Sequence, residues 1–141
     1  PRKLYCRVAG IMAEIDHVGI AVRDLAAASR VYRLLGMAPQ AGEEIAAEGV
    51  RVAMVPAGAS RIELLEPTRT ESPVGRFLAR HGEGMHHVAL RVSGLEAMAA
   101  RLREAGVQLV RDEVRVGAGG HRYLFLHPAS SGGVLIELVE D

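Results

Sequence analysis

The sequence has little cysteine, no excess charge of either sign and no long apolar run. Its single cysteine, Cys6, excludes an internal disulfide and so a disulfide-stapled secreted scaffold; it fits a reducing compartment, and we expect a cytoplasmic protein. The 17 basic and 17 acidic residues cancel, so the overall charge does not indicate a nucleic-acid partner. No apolar stretch approaches the roughly 20 residues that span a bilayer, so we expect no membrane partner.

Apolar residues, in contrast, are plentiful. They make up 49% of the 141 residues, which argues against disorder and indicates a chain that can bury a core. We expect a single domain over residues 13–141, with one module at about 13–68, a linking helix at about 72–81 and a second module at about 85–141. We expect residues 1–12 to be an N-terminal tail or expression remnant, with Met12 a candidate natural start.

One pattern occurs twice along the chain. The segment His-Val-Gly-Ile-Ala-Val at 17–22 has a counterpart in His-Val-Ala-Leu-Arg-Val at 87–92, which begins 70 residues later. Similar runs close the two halves, Arg-Ile-Glu-Leu-Leu-Glu at 61–66 and Leu-Ile-Glu-Leu-Val-Glu at 135–140. The repetition predicts one supersecondary unit used twice.

The order of elements within each half is predicted from apolar periodicity and from turn residues. Asp24 is the expected N-cap of a helix that Gly36 ends, and Ser72-Pro73 is a helix-start signal. The glycines at 117, 119 and 120 favour a hairpin over a phosphate cradle, because a strand follows them. We expect an α+β fold of two tandem β-α-β-β-β modules. The predicted strands are 15–22, 37–45, 50–55, 61–65, 85–92, 107–114, 121–126 and 134–139. The predicted helices are 25–35, 72–81 and 95–105. The predicted apolar stripe of the first helix is Leu25, Ala28, Val31, Leu34 and Leu35.

Each half offers one histidine and one glutamate on an apolar strand. Strand alternation allows two similar sheets to direct His17, Glu63, His87 and Glu137 into one cavity. Two imidazoles and two carboxylates suit a divalent transition metal (manganese, cobalt, nickel, zinc or iron) better than calcium. Four protein ligands on an octahedral ion would leave two positions for water or substrate, and the ion could act as a Lewis acid.

Solvated side chains are the competing interpretation of these polar residues. Burying an unpaired carboxylate costs several kcal/mol, so a metal would account for Glu63 and Glu137, whereas an outward-facing glutamate needs no ligand. Alternation predicts that Glu66 and Glu140 face the opposite way, at the surface. By the same geometry His86 lies behind His87 or at the surface, and a structural role is expected for His127.

Three motifs identify a family resemblance. Ile-Asp-His-Val-Gly-Ile-Ala-Val at 15–22, Gly-Glu-Gly-Met-His-His-Val-Ala at 82–89 and His-Pro-Ala-Ser-Ser-Gly-Gly-Val-Leu-Ile-Glu-Leu at 127–138 resemble the methylmalonyl-CoA epimerases. These enzymes belong to the vicinal oxygen chelate superfamily, and the resemblance covers residues 13–141. It implies paired modules in a cupped, largely antiparallel sheet around a metal, with His17, Glu63, His87 and Glu137 as the ligands.

The resemblance also implies a reaction, a substrate and an assembly. The reaction is interconversion of (2R)- and (2S)-methylmalonyl-CoA, a step of propionate metabolism, by removal and return of the α-proton through a metal-stabilised enediolate. Cobalt is the first metal we expect, with manganese, nickel or zinc as alternatives, and a homodimer is implied. Glu137 is the expected first acid/base. Some relatives carry a second glutamate where Val52 stands here, so we expect Glu48 to substitute, with Glu43, Glu44 or a metal-bound water as alternatives.

Rival functions share parts of this ligand set. A glyoxalase I-like lyase or isomerase would use the same four ligands and differ in its substrate pocket. A ring-cleaving dioxygenase would use two histidines and one glutamate on iron, so the second glutamate argues against it. A metal-free module that binds a small ligand, as in drug-binding members of the superfamily, predicts no bound metal. Arg115 and Arg122 are basic candidates for CoA phosphates and are left unassigned.

Overall fold

The computed structural model describes residues 13–141, apart from the side chain of Ala118. The expected tail at residues 1–12, with Cys6, lies outside the described residues. The helices are α1 (Leu25–Leu34), α2 (Pro73–His81) and α3 (Leu95–Glu104). The strands are β1 (Glu14–Ala21), β2 (Glu43–Ile45), β3 (Val50–Ala57), β4 (Ser60–Pro67), β5 (Gly84–Arg91), β6 (Arg115–Val116), β7 (Arg122–Leu126) and β8 (Ile136–Glu140).

The chain forms two compact units, Asp16–Ala89 and Leu90–Asp141, the second together with residues 13–15. The strand order is β2-β3-β4-β1-β5 in the first unit and β8-β7-β6 in the second. β1 pairs with β4 in parallel, whereas β2 with β3, β3 with β4, β6 with β7 and β7 with β8 are antiparallel. The predicted α+β class is confirmed, as a mixed arrangement of strands in which antiparallel pairing predominates.

The repeat predicted from the sequence is present in the backbone. Helices α1 and α3 each contain 10 residues and begin 70 positions apart. The backbone amide of Val22 donates to the carbonyl of Leu65 over 2.9 Å, and the equivalent amide of Val92 donates to Val139 over 2.9 Å. The same strand–helix junction is therefore built twice.

The expected helix signals are present in the first unit. The Asp24 side chain accepts a hydrogen bond from the amide of Ala27, and Ser72 accepts one from Gly75 with Pro73 in the first turn, so both residues are N-caps. Gly36, at φ 81°, follows the end of α1 and adopts the left-handed conformation that glycine tolerates best. Among residues 13–141, no helix has the length and apolar character that a membrane span requires.

The predicted apolar stripe of α1 is only partly correct. Leu25 is buried and Ala28 packs beside it, but Leu34 is 71% exposed and Val31 and Leu35 are exposed too. The helix packs on β3 and β4 through Leu25, Ser29 and Tyr32, which lie about one and two turns apart. Leu25 joins Val22, Ala53, Val55 and Leu64 in a core cluster, whereas a second cluster beneath α2 contains Ala21, Val50, Val52, Leu65, Val74 and Leu78.

Two predicted strands are shorter than their apolar patterns indicated. Within the 37–45 run only Glu43–Ile45 forms a strand, paired with β3, and Gln40 makes one further backbone bond to Met54. The prediction of a strand over 107–114 is wrong. Its start makes one isolated bridge, from Leu109 to Leu126, and backbone bonds at Gln108 and Val110, whereas residues 110–113 are bends and a two-residue strand follows at Arg115. Three consecutive charged residues at 111–113 are exposed to water, which is incompatible with a half-buried strand. The glycines at 117–120 join the antiparallel strands β6 and β7, as the hairpin prediction required.

Glu66 and Glu140 are half-buried helix caps and not simply surface residues. Glu66 accepts a hydrogen bond of 2.6 Å from the amide of Leu25 at the start of α1. Glu140 accepts bonds from the amides of Gly94 (2.6 Å) and Leu95 (3.3 Å) at the start of α3. Free amides at a helix start attract a carboxylate, and the two glutamates occupy equivalent positions of the repeat. Alternation predicted the face of each glutamate correctly but could not predict the helix that packs there.

Candidate metal centre

His17 lies on β1 with small residues beside it. It is buried, as are Gly19 and Ala21, the next residues on its face of the strand. The parallel register pairs His17 with Arg61 and Gly19 with Glu63 of β4. Because side chains alternate along both strands, this register places Glu63 on the same side of the sheet as His17 and one pleat further along.

His87 approaches from β5 and occupies the space above Gly19. A β-carbon built on Gly19 would lie 2.2 Å from Cε1 of His87 and 2.4 Å from its Nδ1, so this approach requires a glycine. The Nε2 atoms of His17 and His87 are 3.0 Å apart, and Nε2 of His17 is 3.4 Å from Oε2 of Glu63. One ligand atom from each of the three residues lies within 4.8 Å of the others.

This donor set fits a divalent transition metal. Nδ1 of His17 is 2.7 Å from Oδ2 of Asp16, so Nε2 is the His17 nitrogen that faces His87 and Glu63. Both histidines are buried and Glu63 is largely so, which leaves two imidazole nitrogens and a carboxylate oxygen facing one another away from water. A cation bound by these atoms would offset the free-energy cost of burying polar atoms away from water. The structure thus brings together three of the four predicted ligands.

Each of the two histidines has a polar neighbour at its Nδ1. That neighbour is the preceding residue in both halves, Asp16 for His17 and His86 for His87, the latter at 3.0 Å between Nδ1 atoms. The expectation that His86 lies behind His87 is confirmed. The contact of Asp16 with His17 was not predicted, although the signal was present in the sequence as an acidic residue directly before a predicted ligand.

Glu137 is buried in β8. Only 6% of it is exposed, and its cross-strand partner is Phe125 of β7. A buried carboxylate on this apolar strand agrees with the expectation that it faces inward. Its role as the fourth ligand and as an acid/base stays a prediction.

Glu48 is exposed at the end of a 3₁₀ turn, Ala46–Glu48, between β2 and β3. Val52, the position at which the resemblance places a second glutamate in some relatives, is buried in the cluster that contains Ala21 and Leu65. An apolar side chain there rules out an acid/base at that position. The role of Glu48 also stays a prediction.

Two further side chains, Arg122 and His127, have structural partners. Arg122 forms ion pairs with Glu140 and Glu96. His127 caps the short turn at 128–130 by accepting from the amide of Ala129, which confirms its expected structural role.

Known proteins are similar to this chain in sequence and in fold. Residues 16–125 match the model of the Glyoxalase/Bleomycin resistance protein/Dioxygenase superfamily. The mitochondrial methylmalonyl-CoA epimerase of Mus musculus is 37% identical over 129 residues, which cover 90% of this chain and 72% of the relative. The ethylmalonyl-CoA/methylmalonyl-CoA epimerase of Cereibacter sphaeroides is 37% identical over 91% of this chain and 98% of its own.

A solved structure extends the likeness to three dimensions. A variant of the Streptomyces coelicolor methylmalonyl-CoA epimerase, in complex with 2-nitronate-propionyl-CoA, superposes with a TM-score of 0.84 at 44% identity, covering 91% of this chain and 94% of that chain. These likenesses confirm the resemblance seen in the motifs. The chain belongs to the methylmalonyl-CoA epimerase family of the glyoxalase/bleomycin resistance protein/dioxygenase superfamily.

Proposed function

We propose that the chain is an epimerase that interconverts (2R)- and (2S)-methylmalonyl-CoA. The observation that carries this proposal is the buried cluster of His17, Glu63 and His87, on a chain whose relatives are named for that reaction. The substrate is an acyl-CoA thioester whose α-carbon lies between two carbonyl groups, which makes the α-proton acidic enough to be removed and returned.

The chemistry divides between the ligands and the acid/base groups. His17, Glu63 and His87, together with Glu137, would hold a divalent ion. When bound, that ion supplies positive charge for the oxygen that becomes negative as the α-proton leaves, and stabilisation of developing charge is usually the largest catalytic contribution. The buried position of the histidines excludes water, which strengthens this electrostatic effect.

Epimerisation also requires proton transfer on both faces of a planar enediolate. Glu137, a buried carboxylate on β8, takes and returns the proton on one face. Glu48, on the turn before β3, serves the other face. Val52 cannot do so, because its side chain carries no titratable group.

The metal, the assembly and the compartment complete the proposal. Cobalt is the expected metal, and manganese, nickel or zinc would suit the same nitrogen and oxygen donors. Family resemblance supports a homodimer and a role in propionate metabolism, and the single cysteine supports a cytoplasmic location. Light scattering on the purified chain tests the dimer.

Proton NMR of methylmalonyl-CoA in deuterated water tests the reaction. We expect the α-proton signal to disappear with the purified protein, to persist after treatment with EDTA, and to disappear again when cobalt is restored. A coupled assay for the opposite epimer establishes that the exchange accompanies inversion. Persistence of the signal with cobalt demonstrably bound would contradict the proposal, and hemithioacetals of the glyoxalase type would be the next substrates to test.

A further inference from the structure

The two ligand histidines have chemically different partners behind them. Asp16 and His86 occupy equivalent positions of the repeat, 70 residues apart, and each faces Nδ1 of the histidine that follows it. One partner is a carboxylate and the other is an imidazole. The repeat is therefore symmetric in its ligand histidines and asymmetric in the groups that orient them.

Asp16 is the more constrained of the two partners. It is 5% exposed, and its Oδ2 accepts from Nδ1 of His17 over 2.7 Å and from Nη2 of Arg61 over 2.7 Å. Arg61 is the cross-strand neighbour of His17 in the parallel β1–β4 pair, which places its long side chain within reach of this carboxylate. A guanidinium can only donate, so Asp16 is the acceptor in its contact with Arg61.

His86 cannot impose the same order on His87. Its Nδ1 lies 3.0 Å from Nδ1 of His87, and its ring packs edge-on against Phe77 with centroids 5.0 Å apart. An imidazole can either donate or accept at Nδ1, so contact with His86 does not by itself select the tautomer of His87. Only the Asp16 pair therefore fixes both the tautomer and the ring orientation of its histidine.

We propose that Asp16, held by Arg61, is a positioning residue that keeps the proton of His17 on Nδ1 and so presents the Nε2 lone pair to the metal. This inference rests on the metal centre of the proposed function. Groups of this kind, behind metal-ligating histidines, typically change metal affinity by about 10- to 100-fold when they are removed. The first half of the repeat thus controls metal affinity through a three-residue chain, Arg61–Asp16–His17.

Four variants separate positioning from stability. Asp16→Ala removes the acceptor, Asp16→Asn keeps a neutral acceptor oxygen, and Arg61→Ala removes the group that holds Asp16. Glu66→Ala is the matched control, because it removes another partly buried carboxylate that bonds a backbone amide and not a metal ligand. Arg61 is 44% exposed on its side chain, so its substitution preserves the fold even if Asp16→Ala does not.

Two measurements are made on every variant and on the unaltered chain. Cobalt affinity is obtained by competition with a chelator, and the tautomer of His17 is obtained in the metal-free protein by nitrogen-15 NMR of the histidine rings. We expect Asp16→Ala to bind cobalt about 10- to 100-fold more weakly and to mix the two tautomers of His17. Asp16→Asn and Arg61→Ala should lie between it and the unaltered chain, and Glu66→Ala should lose stability without losing cobalt affinity.

The outcomes distinguish this inference from the function on which it rests. If the unaltered chain binds cobalt and all the Asp16 and Arg61 variants bind it within about twofold, the positioning role is overturned and the epimerase proposal stands. A His17 that keeps its proton on Nδ1 in the folded Asp16 variants overturns the role too. If the unaltered chain binds no divalent metal, both proposals fail.

Discussion

The imidazole of His87 occupies the space that a side chain on residue 19 would fill. A β-carbon on Gly19 would lie 2.2 to 2.8 Å from three atoms of that ring, closer than real β-carbons come to other heavy atoms. Gly19 is also the cross-strand partner of Glu63. The missing side chain is thus what lets a ligand from β5 reach the ligands of β1 and β4.

We therefore predict that Gly19→Ala displaces His87. The added methyl group meets a ring and not the end of a flexible chain, so the imidazole must rotate or β5 must shift. Cobalt affinity should fall by at least about tenfold, by analogy with other disturbed metal sites, and epimerisation should fall with it. Chelator competition gives the affinity, and the coupled epimer assay gives the activity.

Gly36→Ala is the control for this substitution. Gly36 has φ 81° and nothing within 4 Å of an added β-carbon, so alanine there costs only backbone strain, about 1 kcal/mol of stability. Its cobalt affinity should equal that of the unaltered chain. Unchanged cobalt affinity in Gly19→Ala would show that the ring of His87 can move without loss of the site.

The sequence alone predicted the three clustered ligands because local rules determine them. Strand alternation was enough to select His17, Glu63 and His87, together with the repetition of the histidine strand after 70 residues and of the glutamate strand after 74. The role of Gly19 could not be predicted in this way. It depends on the β1–β4 register and on the approach of β5, which are long-range pairings that no local pattern encodes. The contact of Asp16 with His17 joins neighbouring residues and did have a local signal.

The same distinction explains the errors in the fold. The stripe of Val31, Leu34 and Leu35 has helical spacing, but which face of α1 packs is decided by β3 and β4, and that face carries Leu25, Ser29 and Tyr32. Apolar spacing in 107–114 likewise resembled a strand. Only its start bonds to the chain near β7, through Gln108 and Val110, and the charged residues at 111–113 that follow are exposed, so the segment did not become one.

Glu140 should make the stability of the fold depend on acidic pH. The hydrogen bond from the amide of Gly94, reinforced by Leu95 and by the Arg122 guanidinium, lowers the pKa of the Glu140 carboxyl below its ordinary 4.5. A lowered pKa in the folded state means that the unfolded chain binds the proton first on acidification. The contribution of Glu140 is then complete above about pH 4.5 and is lost as pH falls through the lower, folded-state pKa.

Thermal unfolding of Glu140→Gln between pH 7 and pH 3 measures this contribution. The variant should melt lower than the unaltered chain at pH 7, and the difference should shrink towards pH 3 as Glu140 itself becomes protonated. Glu113→Gln makes the same charge change in an exposed loop and should leave the melting temperature unchanged at both ends. A difference between Glu140→Gln and the unaltered chain that is constant with pH would mean that ionisation of the cap is irrelevant.

Glu63 should tolerate exchange for glutamine better than exchange for an apolar residue. An amide keeps one oxygen donor towards His17 and the metal, whereas leucine of similar size keeps none. We predict a loss of cobalt affinity of roughly tenfold for Glu63→Gln and a far larger loss for Glu63→Leu. Affinities equal to that of the unaltered chain in both variants, measured by chelator competition on folded protein, would exclude Glu63 from the ligand set.

The second acid/base can be identified because inversion needs two groups while exchange needs one. If Glu48 serves the face opposite Glu137, Glu48→Gln should stop epimerisation but still exchange the α-proton of one epimer with deuterated solvent. The loss of inversion should be about 100-fold or more, which is the usual contribution of a positioned acid or base. Glu44→Gln, a neutralised and exposed carboxylate on the neighbouring strand β2, is the matched control and should invert normally. Normal inversion by Glu48→Gln would remove Glu48 from the mechanism, and loss of inversion in Glu44→Gln would transfer the role to Glu44.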